Sequence, residues 1–178
     1  MNDFSMPHES MQADAEARRR ALDPETSFIV QAPAGSGKTE LLTQRYLRLL
    51  ATVEHPEQVL AITFTRKAAA EMRNRILLAM ESAKHPAPES PHKRQTWDLA
   101  RAVQRLDAQH DWQLLQHPAR LRIQTIDALN SMLARRLPVL SGTGAALEPS
   151  TDPEPLYEAA CARLLEHLGE DSPQAKAL

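Results

Sequence analysis

Lys38 and Thr39 bring an ammonium and a hydroxyl side by side, at the end of the run APAGSGKT. Those two groups after glycines suit the handling of phosphate. Ala32, Pro33, Ala34, Gly35, Ser36, Gly37, Lys38 and Thr39 together form a candidate cradle for a nucleoside triphosphate. In such a loop the backbone N–H groups turn inward onto anionic oxygens, and a helix beginning there adds its positive end. Gly35 and Gly37 let the main chain approach a phosphate with no Cβ in the way. Lys38 is expected to reach the β- and γ-phosphates, and Thr39 to ligate Mg²⁺. The usual spacing begins with glycine; here Ala32 holds that place and is small enough to keep the turn. The competing reading is a Gly/Ser turn that happens to precede a lysine.

The flanking elements favour the cradle. Phe28-Ile29-Val30 reads as a strand into the loop, and Leu41, Leu42, Tyr46, Leu49 and Leu50 recur at helical spacing after it. Val59–Phe64 reads as a second strand, buried on both faces. A helix over 68–83 follows, with Ala68, Met72, Ile76 and Met80 on one stripe. Arg120–Ile126 alternates as a third strand with Leu121 and Ile123 inward, and Asp127 is the expected N-cap of a helix over 128–137. Strands alternating with helices predict an α/β fold with a parallel sheet flanked by helices, as in P-loop proteins. His85–Pro91, with three prolines, opens a helical insertion over about 85–118, anchored by Trp97 and Trp112. Residues 1–13 are expected to be disordered, and a short helix over 14–22 carries Arg18-Arg19-Arg20, read as a solvated face before a phosphate contact. Ser141–Gly144 is a flexible break, and a last helix runs from Pro153 to Leu168 with Gly169 as its cap.

Composition narrows the setting. With 42% apolar residues among 178, a core can form, and no apolar run is long enough to span a membrane. The N-terminus has no secretory h-region, and the lone Cys161 excludes a disulfide framework, so a cytoplasmic location is expected with Cys161 in the core. Residues 1–141 carry 19 Lys and Arg against 16 Asp and Glu, while 142–178 carry 2 against 7, which hints at separate domains. The seven histidines form no HExxH or Cys/His cluster, so no metal beyond Mg²⁺ is expected. Hydrolysis also needs a carboxylate at a strand end to hold the metal. The only adjacent acidic pair after the loop is Glu170-Asp171, which follows a helix and a glycine. The domain is therefore expected to be incomplete, and the chain an N-terminal piece that grips a nucleotide without turning it over.

Three segments together resemble superfamily 1 DNA helicases of the UvrD/Rep type, and among them the RecB/AddA-like helicase–nucleases. Gln31–Leu50 matches motif I, the Walker A region; Ile62–Ile76, ITFTRKAAAEMRNRI, is similar to motif Ia; Arg122–Leu133, RIQTIDALNSML, looks like motif Ib. The resemblance covers about 14–141, implying a partial RecA-like domain 1A, with 142–178 beginning the helical subdomain 1B. It implies ATP and Mg²⁺ at Lys38 and Thr39, and single-stranded DNA at Phe64, Thr65, Arg66, Thr125 and Asp127. An aromatic can stack on a base, and an arginine or hydroxyl can contact phosphate. Arg66 stands where the family often has Asn, and Asp127 where it often has His. The family's adenine-reading glutamine has Gln12 as its only upstream counterpart, far from the loop. The implied partners are the rest of the helicase, with Walker B and a second RecA-like domain, and a nuclease or helicase subunit; the implied setting is DNA repair by 3′–5′ movement. The alternative is a small P-loop kinase acting on a metabolite, which would need an acceptor-binding carboxylate after the second strand, where Thr65-Arg66-Lys67 is basic. A GTPase lacks its NKxD-like reader here.

Overall fold

The computed structural model describes residues 8–137 and 152–166. The expected break at Ser141–Gly144, the cap at Gly169, the pair Glu170-Asp171 and residues 1–7 lie outside them. Two compact units are distinguished, dividing between Ser131 and Met132.

In the first unit the elements run α1 (His8–Arg20), α2 (Lys38–Leu50), β1 (Leu60–Thr63), α3 (Arg66–Ser82), α4 (Pro91–His110), β2 (Arg122–Thr125) and the start of α5 (Ile126–Arg136). The first helix thus begins at His8, ahead of its expected start at Asp14. β1 and β2 pair in parallel with Leu60 opposite Arg122 and Thr63 opposite Thr125. Among the described residues the sheet has these two strands, and Phe28–Val30 is not one of them, with Ile29 99% exposed. The correction has a physical cause: an apolar run becomes a strand only when another backbone takes its N–H and C=O groups. The fold is mixed α/β with a small parallel sheet.

One core joins all layers. Tyr46, Leu47 and Leu50 of α2 meet Ile76, Ala79 and Met80 of α3, Ala100 and Val103 of α4, and Leu121 and Ile123 at β2. The buried stripes differ from the expected ones in two places. Ala69 is buried and Ala68 exposed, and Leu47 is buried while Leu42 is exposed. α4 ends at His110. Asp111 takes a left-handed conformation (φ 50°) and ends it, and Trp112 then buries its ring and donates from Nε1 to Glu54 O at 3.1 Å. Arg120 forks onto Glu57, with Nε to Oε1 at 2.7 Å, and donates to Trp112 O at 2.9 Å. That hydrogen bond outweighs burial, which acts upward, and holds the Glu57 carboxyl below its usual range. Burial raises the Tyr46 phenol, whose hydroxyl lies 3.3 Å from Val59 O. At β2, Ile123 has both main-chain groups engaged: its N–H donates to Leu121 O at 2.8 Å, and its C=O accepts from Arg73 at 2.6 Å.

The second unit contains the rest of α5 and α6 (Glu154–Leu165). Pro153 is the N-cap residue of α6 and not its first helical residue, and Asp152 Oδ1 accepts from Glu154 N at 3.3 Å. Cys161 is exposed, which corrects its expected place in a core. Among the described residues no helix is long and apolar enough to cross a membrane.

Candidate nucleotide site and strand-end face

The loop is positioned by side chains in place of a sheet. Arg45 of α2 donates to the carbonyls of Asp23 at 3.0 Å and Thr26 at 2.9 Å, and also to Ala21 O. Its guanidinium lies over the Phe28 ring, 5.2 Å from the centroid. The segment entering the loop is thereby tied to the helix that leaves it.

Within the loop Gly35 and Gly37 have φ of 77° and 80°, a region that costs any residue with a Cβ. Gly37 is also the N-cap residue of α2, and no side chain caps that helix. The first intrahelical bond runs from Leu41 N to Gly37 O at 3.1 Å. The N–H groups ahead of it are therefore available to an anion. Lys38 Nζ donates to Ala32 O at 2.6 Å and to Pro33 O, folding across the loop mouth. Ser36 Oγ is buried with no partner. The donor set here is an ammonium, uncapped helix N–H groups and hydroxyls at Ser36 and Thr39. That chemistry fits a polyphosphate with its divalent cation. Thr39 is exposed at the start of α2. Ala34 is also exposed and Ala32 half-buried. A cleft of about 250 Å³ adjoins the loop, lined in part by Asp14, Arg18, Phe28, Val30, Ser36 and Lys38.

Two contacts at this site were not read from the sequence. Arg18 Nη2 donates to Ser36 O at 2.6 Å, so one arginine of the run on α1 reaches the loop. Glu40 accepts from Thr96 Oγ1, and Gln44 Nε2 donates to the same hydroxyl at 3.0 Å, joining the first turns of α2 to α4. The basic run was the only sequence signal for the first. Nothing local marks the second, because 56 residues separate its partners.

The predicted strand-end residues come together. Because Thr63 and Thr125 are register partners, Phe64-Thr65-Arg66 and Ile126-Asp127 leave the same C-terminal edge of the sheet. Phe64 is 89% exposed, and Thr65, Arg66 and Asp127 are exposed too. Thr125 is buried. Its Oγ1 accepts from Ala128 N at 3.2 Å, and Thr65 Oγ1 accepts from Ala68 N at 3.1 Å. The cap of α5 is thus Thr125, and Asp127, expected as the cap, lies in its first turn. The helix begins directly on the strand, so the last strand residue takes the capping role. Gln12 is exposed on α1. Among the described residues no cluster of His, Cys, Asp and Glu could hold a metal ion.

Residues 13–154 match the family model described as UvrD/REP helicase N-terminal domain. Similar curated relatives are named as subunits of an ATP-dependent helicase/nuclease. That of Bacillus pumilus (strain SAFR-032) is 42% identical over 75 residues, covering 40% of this chain and 6% of the relative. That of Clostridioides difficile (strain 630) is 41% identical over 71 residues, 38% of this chain and 6% of the relative. That of Oceanobacillus iheyensis is 42% identical over 81 residues, 43% and 6%. The chain therefore matches about 6% of the length of these relatives. No solved structure matches.

Proposed function

The chain belongs to the UvrD/REP helicase N-terminal domain family, and from that premise we propose that it is the ATP-binding part of an ATP-dependent 3′–5′ DNA helicase, of the helicase–nuclease type, acting in DNA repair. The observation that carries the reading is the pair of left-handed glycines leading into an uncapped helix that begins Lys38-Thr39. In this reading Lys38 exchanges the carbonyls of Ala32 and Pro33 for phosphate oxygens. The N–H groups of the loop over 34–37 and of the first turn of α2 hold the remaining anionic oxygens. Thr39 ligates Mg²⁺. The metal, when bound, neutralises charge on the phosphates.

The strand-end face is the proposed track for single-stranded DNA. Phe64 offers a stacking surface, Arg66 a phosphate contact, and Thr65 and Thr125 hydroxyls whose main duty is to fix the two helices. Asp127 belongs to this face by position, although its carboxylate repels phosphate. The proposed organisation places the ATP-binding domain 1A at 14–141 and the start of subdomain 1B at 142–178. A second RecA-like domain and a nuclease or helicase subunit complete the proposed machine, in the cytoplasm.

The test is ATP·Mg²⁺ binding by calorimetry. Lys38→Ala is expected to lower affinity by about a hundredfold or more, with an unchanged denaturation midpoint. A wild-type chain that binds no ATP·Mg²⁺, or a Lys38→Ala chain that binds it equally well, would sink the reading.

A further inference from the structure

We infer that Arg18 is a positioning residue for the phosphate loop: it holds the Ser36–Gly37 peptide so that the Gly37 N–H faces the cradle. The inference rests on the nucleotide site proposed above and adds a residue from a different element. Arg18 is divided between two partners. Its Nε donates to Asp14 Oδ2 at 2.7 Å, one helical turn back, and its Nη2 donates to Ser36 O at 2.6 Å. The first bond aims the guanidinium plane and the second grips the loop. A guanidinium is suited to this because its donors are fixed in one plane. In a trans peptide the C=O and the following N–H point in opposite directions. Pinning the Ser36 carbonyl on the α1 side therefore sends the Gly37 N–H to the other side, where an anion can accept it. Gly37 lies beside the guanidinium: a Cβ built there would come within 3.4 Å of Arg18 Nη1.

The two cations at the loop divide the work. Lys38 holds carbonyls at the start of the loop, a grip it gives up in favour of phosphate. Arg18 holds the carbonyl near its end, and a phosphate in the cradle gives it no reason to let go.

Arg18→Ala and Arg18→Lys are the variants, tested on the full chain with ATP, ADP and inorganic tripolyphosphate, alongside the backbone order parameter of the Gly37 N–H without ligand. Arg18→Ala is expected to weaken all three ligands alike by about tenfold. It should also drop the Gly37 order parameter from the rigid range near 0.85 to below about 0.6. Arg18→Lys should recover part of both. A rigid Gly37 in Arg18→Ala overturns the inference whatever happens to affinity. So does a loss confined to ATP and tripolyphosphate, which would make Arg18 a direct contact of the terminal phosphate. If the wild-type chain binds none of the three ligands, the nucleotide reading fails, and the order parameter alone still decides the brace.

Discussion

Helices begin in two different ways in the first unit. α5 starts directly on the end of β2 and α3 just after β1, beyond Phe64 and Thr65, and each has a threonine hydroxyl, Thr125 or Thr65, closing an early N–H group. α2 starts on a left-handed glycine with no side-chain cap at all. A cap contributes about 1 kcal/mol to a helix, so its omission is a cost borne locally. The difference separates two uses of a helix start. At the sheet edge the donors are consumed internally and the junction is a rigid platform. At the loop the donors are left open, and the chain compensates with contacts from further away: Arg18 on Ser36, Arg45 on the preceding segment, and the Glu40–Thr96–Gln44 cluster on the first turn.

Substitutions can break this contrast, and the largest effect belongs to the loop. Gly37→Ala puts a Cβ on a residue at φ 80° and against Arg18, and is expected to cost about 1–3 kcal/mol in urea denaturation. Gly35→Ala has open space for its Cβ and should cost less, through φ alone. Equal losses would mean that the Arg18 contact has no energetic weight. Next come the caps. Thr125→Val and Thr65→Val should each lower stability by about 1 kcal/mol, with the serine variants largely recovering it. Thr39→Val should leave the denaturation midpoint in place and weaken only Mg²⁺-dependent ATP binding. A stability loss at Thr39 to match the other two would erase the distinction between open and closed helix starts. The smallest effect is expected at Asp127→Asn, about 0.3–1 kcal/mol from the lost attraction to the helix dipole. Single-strand DNA affinity of the full chain should hold or rise in that variant, and a marked drop would make Asp127 a DNA-reading group.

What the sequence made legible follows from how far each interaction reaches. The loop was readable because Gly35, Gly37, Lys38 and Thr39 act within eight residues. The helices were readable because their apolar stripes repeat locally; the errors lay in which positions of a stripe are buried, as with Ala69 for Ala68, and in where helices begin, as at His8 for α1. Phe28–Val30 has the composition of a strand, but strand formation depends on a partner that composition does not supply. Asp127 and Thr125 are both competent caps. Only the point at which the strand turns into helix chooses between them. Arg18 and Thr96 reach the site across 18 and 56 residues, where spacing carries no signal.

The engagement of Ile123 gives the small sheet a direction of growth. With its N–H folded onto Leu121 and its C=O held by Arg73, β2 offers an incoming strand no ladder at that point. A plugged rim of this kind discourages stray pairing between copies of the chain along the β2 margin. The same engagement makes the β1 side the margin better suited to receive a further strand.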